Sequence, residues 1–142
     1  MINKRIILSG VAAGVICHFM QSSGAYLFFD RYYLESPDIV RDSTYLVGVY
    51  YLLLNLLVGQ VVAHLACYLK SVWEAPGWQI GIRAGLILWA ASSPVWIIKR
   101  QILLKLSNWL LLEIVFDLAV YIIIGAIAGL ITGRLTAESN EE

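Results

Sequence analysis

Four long apolar blocks constrain this chain more than any other feature of its sequence. They cover residues 6–29, 45–69, 80–98 and 109–133. Each has roughly the 18 to 25 residues that an α-helix needs to cross the hydrocarbon core of a bilayer. The blocks are apolar on nearly all sides, whereas a helix of a soluble bundle keeps a polar face. We therefore predict an all-α integral membrane protein, a bundle of four transmembrane helices forming one domain over residues 1–134.

Composition and charge support the membrane interpretation. The chain is 60% hydrophobic and only 14% charged, whereas a soluble domain is about half apolar and a quarter charged. Its formal net charge is +0 at pH 7, so nothing in the overall charge would attract a nucleic acid. Lys4 and Arg5 precede the first block as in a signal peptide, but that block is long enough to span the bilayer. We predict a retained anchor.

Glycines recur at four-residue spacing in three of the blocks. Residues four apart lie on one face of a helix, and glycines there let another helix approach closely. If the first and last blocks are antiparallel neighbours, their glycines meet at one membrane face and His18 lies near the level of Asp117 and Tyr121. The predicted helix-packing residues are Gly10, Gly14, Gly81, Gly85, Gly125, Gly129 and Gly133.

Polar side chains inside the blocks are the candidate functional residues. They form a predicted polar layer of His18, Gln21, Asn55, Glu113, Asp117 and Tyr121. Ionisable groups at such depth are expensive and are functional candidates by default. Two interpretations stay open: the groups satisfy one another and fix the helix register, or they form a site for a small molecule, a lipid or a proton. The two cysteines, Cys17 and Cys67, are interpreted as buried inert thiols.

Metal and haem sites have suitable residues but poor spacing. His18 and His64 lie on adjacent blocks, as ligands of a bis-histidine haem would, yet their predicted depths differ by roughly 10 Å at 1.5 Å per residue. His18, Glu113 and Asp117 are metal-ligand types without a recognised ligand motif. We predict no metal and no cofactor, with a haem-b redox subunit kept as an alternative.

The segments outside the blocks give less information. Residues 98–108 are basic and amphipathic, which predicts a short interfacial helix. Residues 135–142 are polar and acidic, which predicts a disordered tail. Lys and Arg residues number five on each predicted side of the membrane, so their distribution does not orient the chain. The N-terminal amine favours both termini in the cytoplasm of a bacterial inner membrane.

The first block, residues 81–94 and residues 109–131 together resemble the small four-span bacterial membrane proteins of unassigned function. The resemblance implies an architecture and carries over no catalytic residue. A small chain without an active-site motif suits a non-enzymatic accessory or scaffold subunit, in a homo-oligomer or a larger complex within the lipid bilayer. A protein that binds or transports a small molecule, lipid or quinone through the polar layer is the alternative.

Overall fold

Over the residues that the structure describes, the chain forms four helices packed as an up-and-down bundle. The computed structural model describes residues 4–24, 45–104 and 110–137. Helix α1 covers Lys4–Gly24, α2 covers Tyr45–Val72, α3 covers Gly77–Leu104 and α4 covers Leu110–Ala137. The predicted all-helical architecture is confirmed over these residues. Residues 25–29, the end of the first predicted block, lie outside them.

Three stretches within the described residues are long and apolar enough to cross a membrane. They are Lys4–Gly24, Tyr45–Val72 and Leu111–Gly133. Large apolar side chains cover the outside of the bundle, among them Leu8, Leu54 and Leu57, each more than half exposed. An apolar surface of this extent is typical of a protein surrounded by lipid. Helix α3 is as long as α2 but includes Arg83 and Pro94.

Successive helices run antiparallel, and the packing divides them into two close pairs. The N-terminal end of the bundle holds the start of α1 and α3 and the end of α2 and α4; we call the other end the distal end. Helices α3 and α4 share the largest contact, followed by α1 with α2 and then α1 with α4. The contacts of α2 with α3 and α4 are smaller. The bundle is therefore two antiparallel pairs joined mainly between α1 and α4.

Glycines lie at the closest approach of α3 and α4. A Cβ atom added to Gly81 would collide with the carbonyl oxygen of Gly125 and stand 2.8 Å from Cα of Gly129. A Cβ atom on Gly85 would meet the backbone of Tyr121, and one on Gly129 would meet that of Gly77. Backbone thus packs directly on backbone along this seam, which only residues without a side chain permit.

A second glycine contact holds α1 against α2. A Cβ atom on Gly59 would collide with the backbone of Gly10 and Gly14. One on Gly14 would stand 2.6 Å from Cα of Leu56. The four-step ridge of α1 therefore packs on the four-step ridge of α2 that contains Asn55 and Gly59.

This arrangement corrects one prediction about glycine partners. We expected Gly10 and Gly14 of the first span to meet the glycines of the last span at one membrane face. Instead, α1 presents them to α2, while the glycines of α4 face α3. The physical reason is that α2 and α3 also carry small-residue ridges, so the packing of the whole bundle decides which ridges meet. Helix α1 meets α4 through a different face, which includes Ser9.

Two helix boundaries also differ from prediction. Helix α3 continues through Pro94 to Leu104, so the first part of the predicted interfacial helix 98–108 is an extension of α3. Helix α4 continues to Ala137, which makes the first residues of the predicted tail helical. Both extensions are rich in Leu, Arg, Lys, Gln and Ala, which have high helix propensity.

Candidate functional site

Asn55 is the centre of the polar contacts between α1 and α2. It is 4% exposed, and its Nδ2 atom lies 3.4 Å from Nδ1 of His18. The thiol of Cys17 donates to Oδ1 of the same amide, with a sulfur–oxygen distance of 3.5 Å. The neighbouring contact between Gly14 and Gly59 brings the two backbones close enough for these short side chains to meet. Asn55 therefore binds two consecutive residues of α1.

A second polar pair lies closer to the distal end of the same seam. The hydroxyl of Tyr51 donates to Oε1 of Gln21 over 3.2 Å. The ring of His18 lies close to two aromatic rings, with centroids 6.0 Å from Tyr51 and 6.2 Å from Phe19. We name His18, Asn55, Gln21 and Tyr51 the α1–α2 polar ladder. His18 continues the four-residue spacing of the α1 glycines, and Tyr51 and Asn55 precede Gly59 at the same spacing in α2.

Polar groups of α3 and α4 lie at about the level of Asn55 in the bundle, near Cys17. The carboxyl group of Asp117 interacts electrostatically with Cys17 and with Tyr121. Tyr121 is 6% exposed, and its hydroxyl reaches the side chains of Ser93 and Ser92 on α3. Polar side chains from all four helices therefore lie at this level of the bundle.

The predicted polar layer is thus divided between two seams. His18 contacts Asn55 and Gln21 contacts Tyr51, whereas Asp117 and Tyr121 lie together on α4. Within the described residues, His18 makes no hydrogen bond or ion pair with either acid. In the structure His18 contacts Asn55 of α2, and the role of the polar layer, structural or ligand-binding, stays a prediction. Glu113 is buried, at 8% exposure, one turn beyond Asp117.

A further polar contact joins α1 to α4 and was not predicted. The hydroxyl of Ser9 donates to the carbonyl oxygen of Ala128 over 2.9 Å. The hydroxyl of Thr132 lies 3.2 Å from Oγ of Ser9 and 2.7 Å from the same carbonyl oxygen. Both hydroxyl residues are buried. Each directly precedes a glycine in the sequence, which is a signal that could have located them, since Ser and Thr beside small residues are typical of membrane helix interfaces.

The two histidines are too far apart to bind the same haem. His64 is exposed, and its Nδ1 atom lies 2.8 Å from the carbonyl oxygen of Gln60 in its own helix. It follows Asn55, the partner of His18, by nine residues, which is about 13 Å along α2 at 1.5 Å per residue. Within the described ranges, no group of three or more His, Cys, Asp or Glu side chains is placed to hold a metal ion.

The side-chain contacts between α1 and α2 at this level are hydrogen bonds. Cys17 donates to an amide oxygen, which is too weak a base to remove a thiol proton. Activation of a thiol requires a base or a cation beside it, and the imidazole of His18 is turned to Nδ2 of Asn55. The contacts that join α1 to α2 are therefore of the kind that fixes helix register.

No protein-family model matches this chain, and the comparisons with curated proteins and with solved structures found no similar protein.

Proposed function

We propose that all four helices cross a bacterial inner membrane, with both termini on the cytoplasmic side, and that the protein is a non-enzymatic accessory or scaffold subunit of a membrane assembly. One observation carries this proposal: polar side chains inside the bundle form hydrogen bonds between helices. Asn55 joins α2 to α1, and Ser9 joins α1 to α4. Polar groups used in this way fix the relative positions of helices in a membrane.

The outer face of α2 supports a role in assembly. Within the described residues, α2 exposes more large apolar side chains than any other helix. Leu53, Leu54 and Leu57 are each 55–61% exposed, and the main partner of α2 is α1 alone. A second copy of this chain or a different membrane subunit would bind this face. Glycine ridges fix the shape of the bundle that presents it.

Site-specific photo-crosslinking tests the proposal. A photoreactive amino acid at Leu57 on α2 is compared with one at Leu8 on α1, because both side chains are 61% exposed. Irradiation of native membranes should give one discrete protein adduct from position 57, identified by mass spectrometry as this chain or one other subunit. Adducts with lipid alone at both positions would contradict a scaffold role for α2.

A further inference from the structure

Arg83 of α3 keeps its hydrogen-bond donors unused among the residues that the structure describes. Its guanidinium carbon lies over the indole ring of Trp73, 4.9 Å from the ring centroid. Arg83 makes no hydrogen bond or ion pair with any other described residue, although the exposed Glu74 directly follows Trp73. The ring attracts the positive charge, but it takes no N–H group of the guanidinium as an oxygen atom would. These donors are therefore available to a ligand.

The direction of α3 brings this charge to the N-terminal end of the bundle. Side chains of a helix tilt toward its own N-terminus, which for α3 is Gly77. Arg83 follows Gly77 by six residues, about 9 Å along the helix at 1.5 Å per residue, and a long basic side chain can extend over much of that distance. Trp73 precedes α3 and is 40% exposed. If α3 crosses the bilayer, this contact lies at the headgroup level, where tryptophan is typical.

The outer surface of α3 combines this charge with apolar side chains one turn deeper. Ile80 and Ala84 are buried against α2, whereas Arg83 is exposed beside that contact. Leu86 and Ile87 follow Arg83 by three and four residues, so they lie on the same face of the helix. They are 37% and 45% exposed. A molecule with an anionic head and an apolar chain fits this order of groups.

A second cation close to Trp73 favours a ligand with net negative charge. The amide of Trp73 donates to the carbonyl oxygen of Leu69 over 2.9 Å, so Trp73 continues the last turn of α2 and Lys70 is its neighbour on the surface of that turn. Lys70 and Arg83 carry two positive charges around one ring. A guanidinium can bind two oxygens of a phosphate group at once. A zwitterionic lipid would also bring an ammonium group, which these cations repel.

We propose that Arg83 and Trp73 form a binding site for the phosphate group of an anionic phospholipid, in the leaflet at the N-terminal end of the bundle. Arg83 donates to the phosphate oxygens, and Trp73 holds the guanidinium in place. One acyl chain packs along Leu86 and Ile87, which favours a lipid over free phosphate. The placement of this site in a leaflet rests on the proposed crossing of α3 and not on the scaffold role.

Native mass spectrometry of the full chain from detergent micelles tests this site, with phosphatidylglycerol and phosphatidylcholine titrated in turn. The unsubstituted protein should retain phosphatidylglycerol more tightly. Arg83→Gln should weaken that binding about tenfold, through the loss of hydrogen bonds from a charged group. Lys4→Gln is the matched control, because it also removes one exposed positive charge at this end of the bundle, but from α1. It should bind phosphatidylglycerol nearly as the unsubstituted protein does.

A second pair of variants keeps every charge and tests the role of the ring. Trp73→Leu should weaken phosphatidylglycerol binding about threefold, through the loss of one cation–π contact. Trp78→Leu should leave it unchanged, because Trp78 is similarly exposed, 44% against 40%, and makes no described contact with Arg83.

Three results would overturn the proposal. They are equal phosphatidylglycerol binding by Arg83→Gln and Lys4→Gln, equal retention of the two lipids by the unsubstituted protein, and release of phosphatidylglycerol by inorganic phosphate but not by chloride at the same ionic strength. The last result would assign the cations to free phosphate. Binding in micelles does not require α3 to cross a bilayer, so the lipid site can fail this test while the four-span bundle holds.

Discussion

The hydroxyl of Ser9 donates a hydrogen bond of 2.9 Å to the carbonyl oxygen of Ala128, which lies 119 residues later in the chain. This bond joins the first helix of the bundle to the last. It also joins the two glycine-packed pairs, because α1 belongs to one pair and α4 to the other. Loss of this bond should therefore loosen the connection between the pairs rather than either pair itself.

Ser9→Ala tests the connection between the pairs. Removal of the hydroxyl should lower the free energy of unfolding by about 1 kcal/mol, the usual contribution of one intramolecular hydrogen bond in a protein. The measurement is unfolding by denaturant in mixed micelles. Ser71→Ala is the control, because the Ser71 hydroxyl is exposed and donates to the carbonyl oxygen of Tyr68 in the same helix. Equal stability of the two variants would remove Ser9 from the account of the α1–α4 contact.

Gly81→Ala tests the backbone contact between α3 and α4. The added methyl group would meet the carbonyl oxygen of Gly125, so the helices must separate, at a cost of about 1–3 kcal/mol. Gly48→Ala is the matched control, since nothing lies within 4 Å of a Cβ atom there. That variant should be unchanged or slightly more stable, because alanine has the higher helix propensity. A Gly81→Ala protein as stable as Gly48→Ala would contradict the close packing of α3 on α4.

The pairing of Asn55 with His18 is best measured by a double-mutant cycle. Asn55→Leu removes the amide at similar volume, His18→Phe removes the imidazole nitrogens, and the third variant carries both changes. We expect a coupling energy of about 0.6 kcal/mol, the average for polar contacts between membrane helices. The same cycle with His64→Phe in place of His18→Phe should give no coupling. Strictly additive effects of Asn55→Leu and His18→Phe would show that the 3.4 Å contact contributes nothing.

Asp117→Asn separates a structural acid from a proton-carrying one. The substitution keeps the shape of the side chain and replaces the carboxyl group near Cys17 and Tyr121 with an amide. For an accessory subunit we expect changed thermal stability but the same proton permeability of proteoliposomes, measured with a pH-sensitive dye. Proteoliposomes with the unsubstituted protein that leak protons, and stop leaking in Asp117→Asn, would instead assign Asp117 to a proton pathway.

The sequence predicts which face of each helix carries small residues, but not which helix covers it. Four-residue spacing placed Gly10, Gly14 and His18 on one face of α1. The spacing in α2, with Asn55 and Gly59, offered an equally good partner. The choice between α2 and α4 depends on how the whole bundle packs, which no single helix determines. The structure resolves it in favour of α2.

The same limit explains the outcome for the polar residues. Each of His18, Asn55 and Asp117 was identified from its depth in an apolar block. Depth along a helix, however, does not tell which neighbouring helix a side chain meets. Two consecutive residues lie at nearly the same depth but about 100° apart around the helix. Cys17 and His18 differ in this way: Cys17 also lies near Asp117 of α4, whereas His18 contacts Asn55 and Tyr51 of α2. The sequence assigned the thiol no partner, although it lies between Asn55 and Asp117.

Labelling on the two sides of α3 tests the four-span bundle most directly. With Cys17 and Cys67 replaced by alanine, single cysteines are introduced at Glu74, which precedes α3, and at Ser107, which follows it in the sequence. A membrane-impermeant maleimide is added to intact cells and to inverted vesicles. If α3 crosses the bilayer, we expect Ser107→Cys to react in intact cells and Glu74→Cys only in inverted vesicles. Reaction of both cysteines from the same side would show that α3 does not cross and would contradict the four-span bundle.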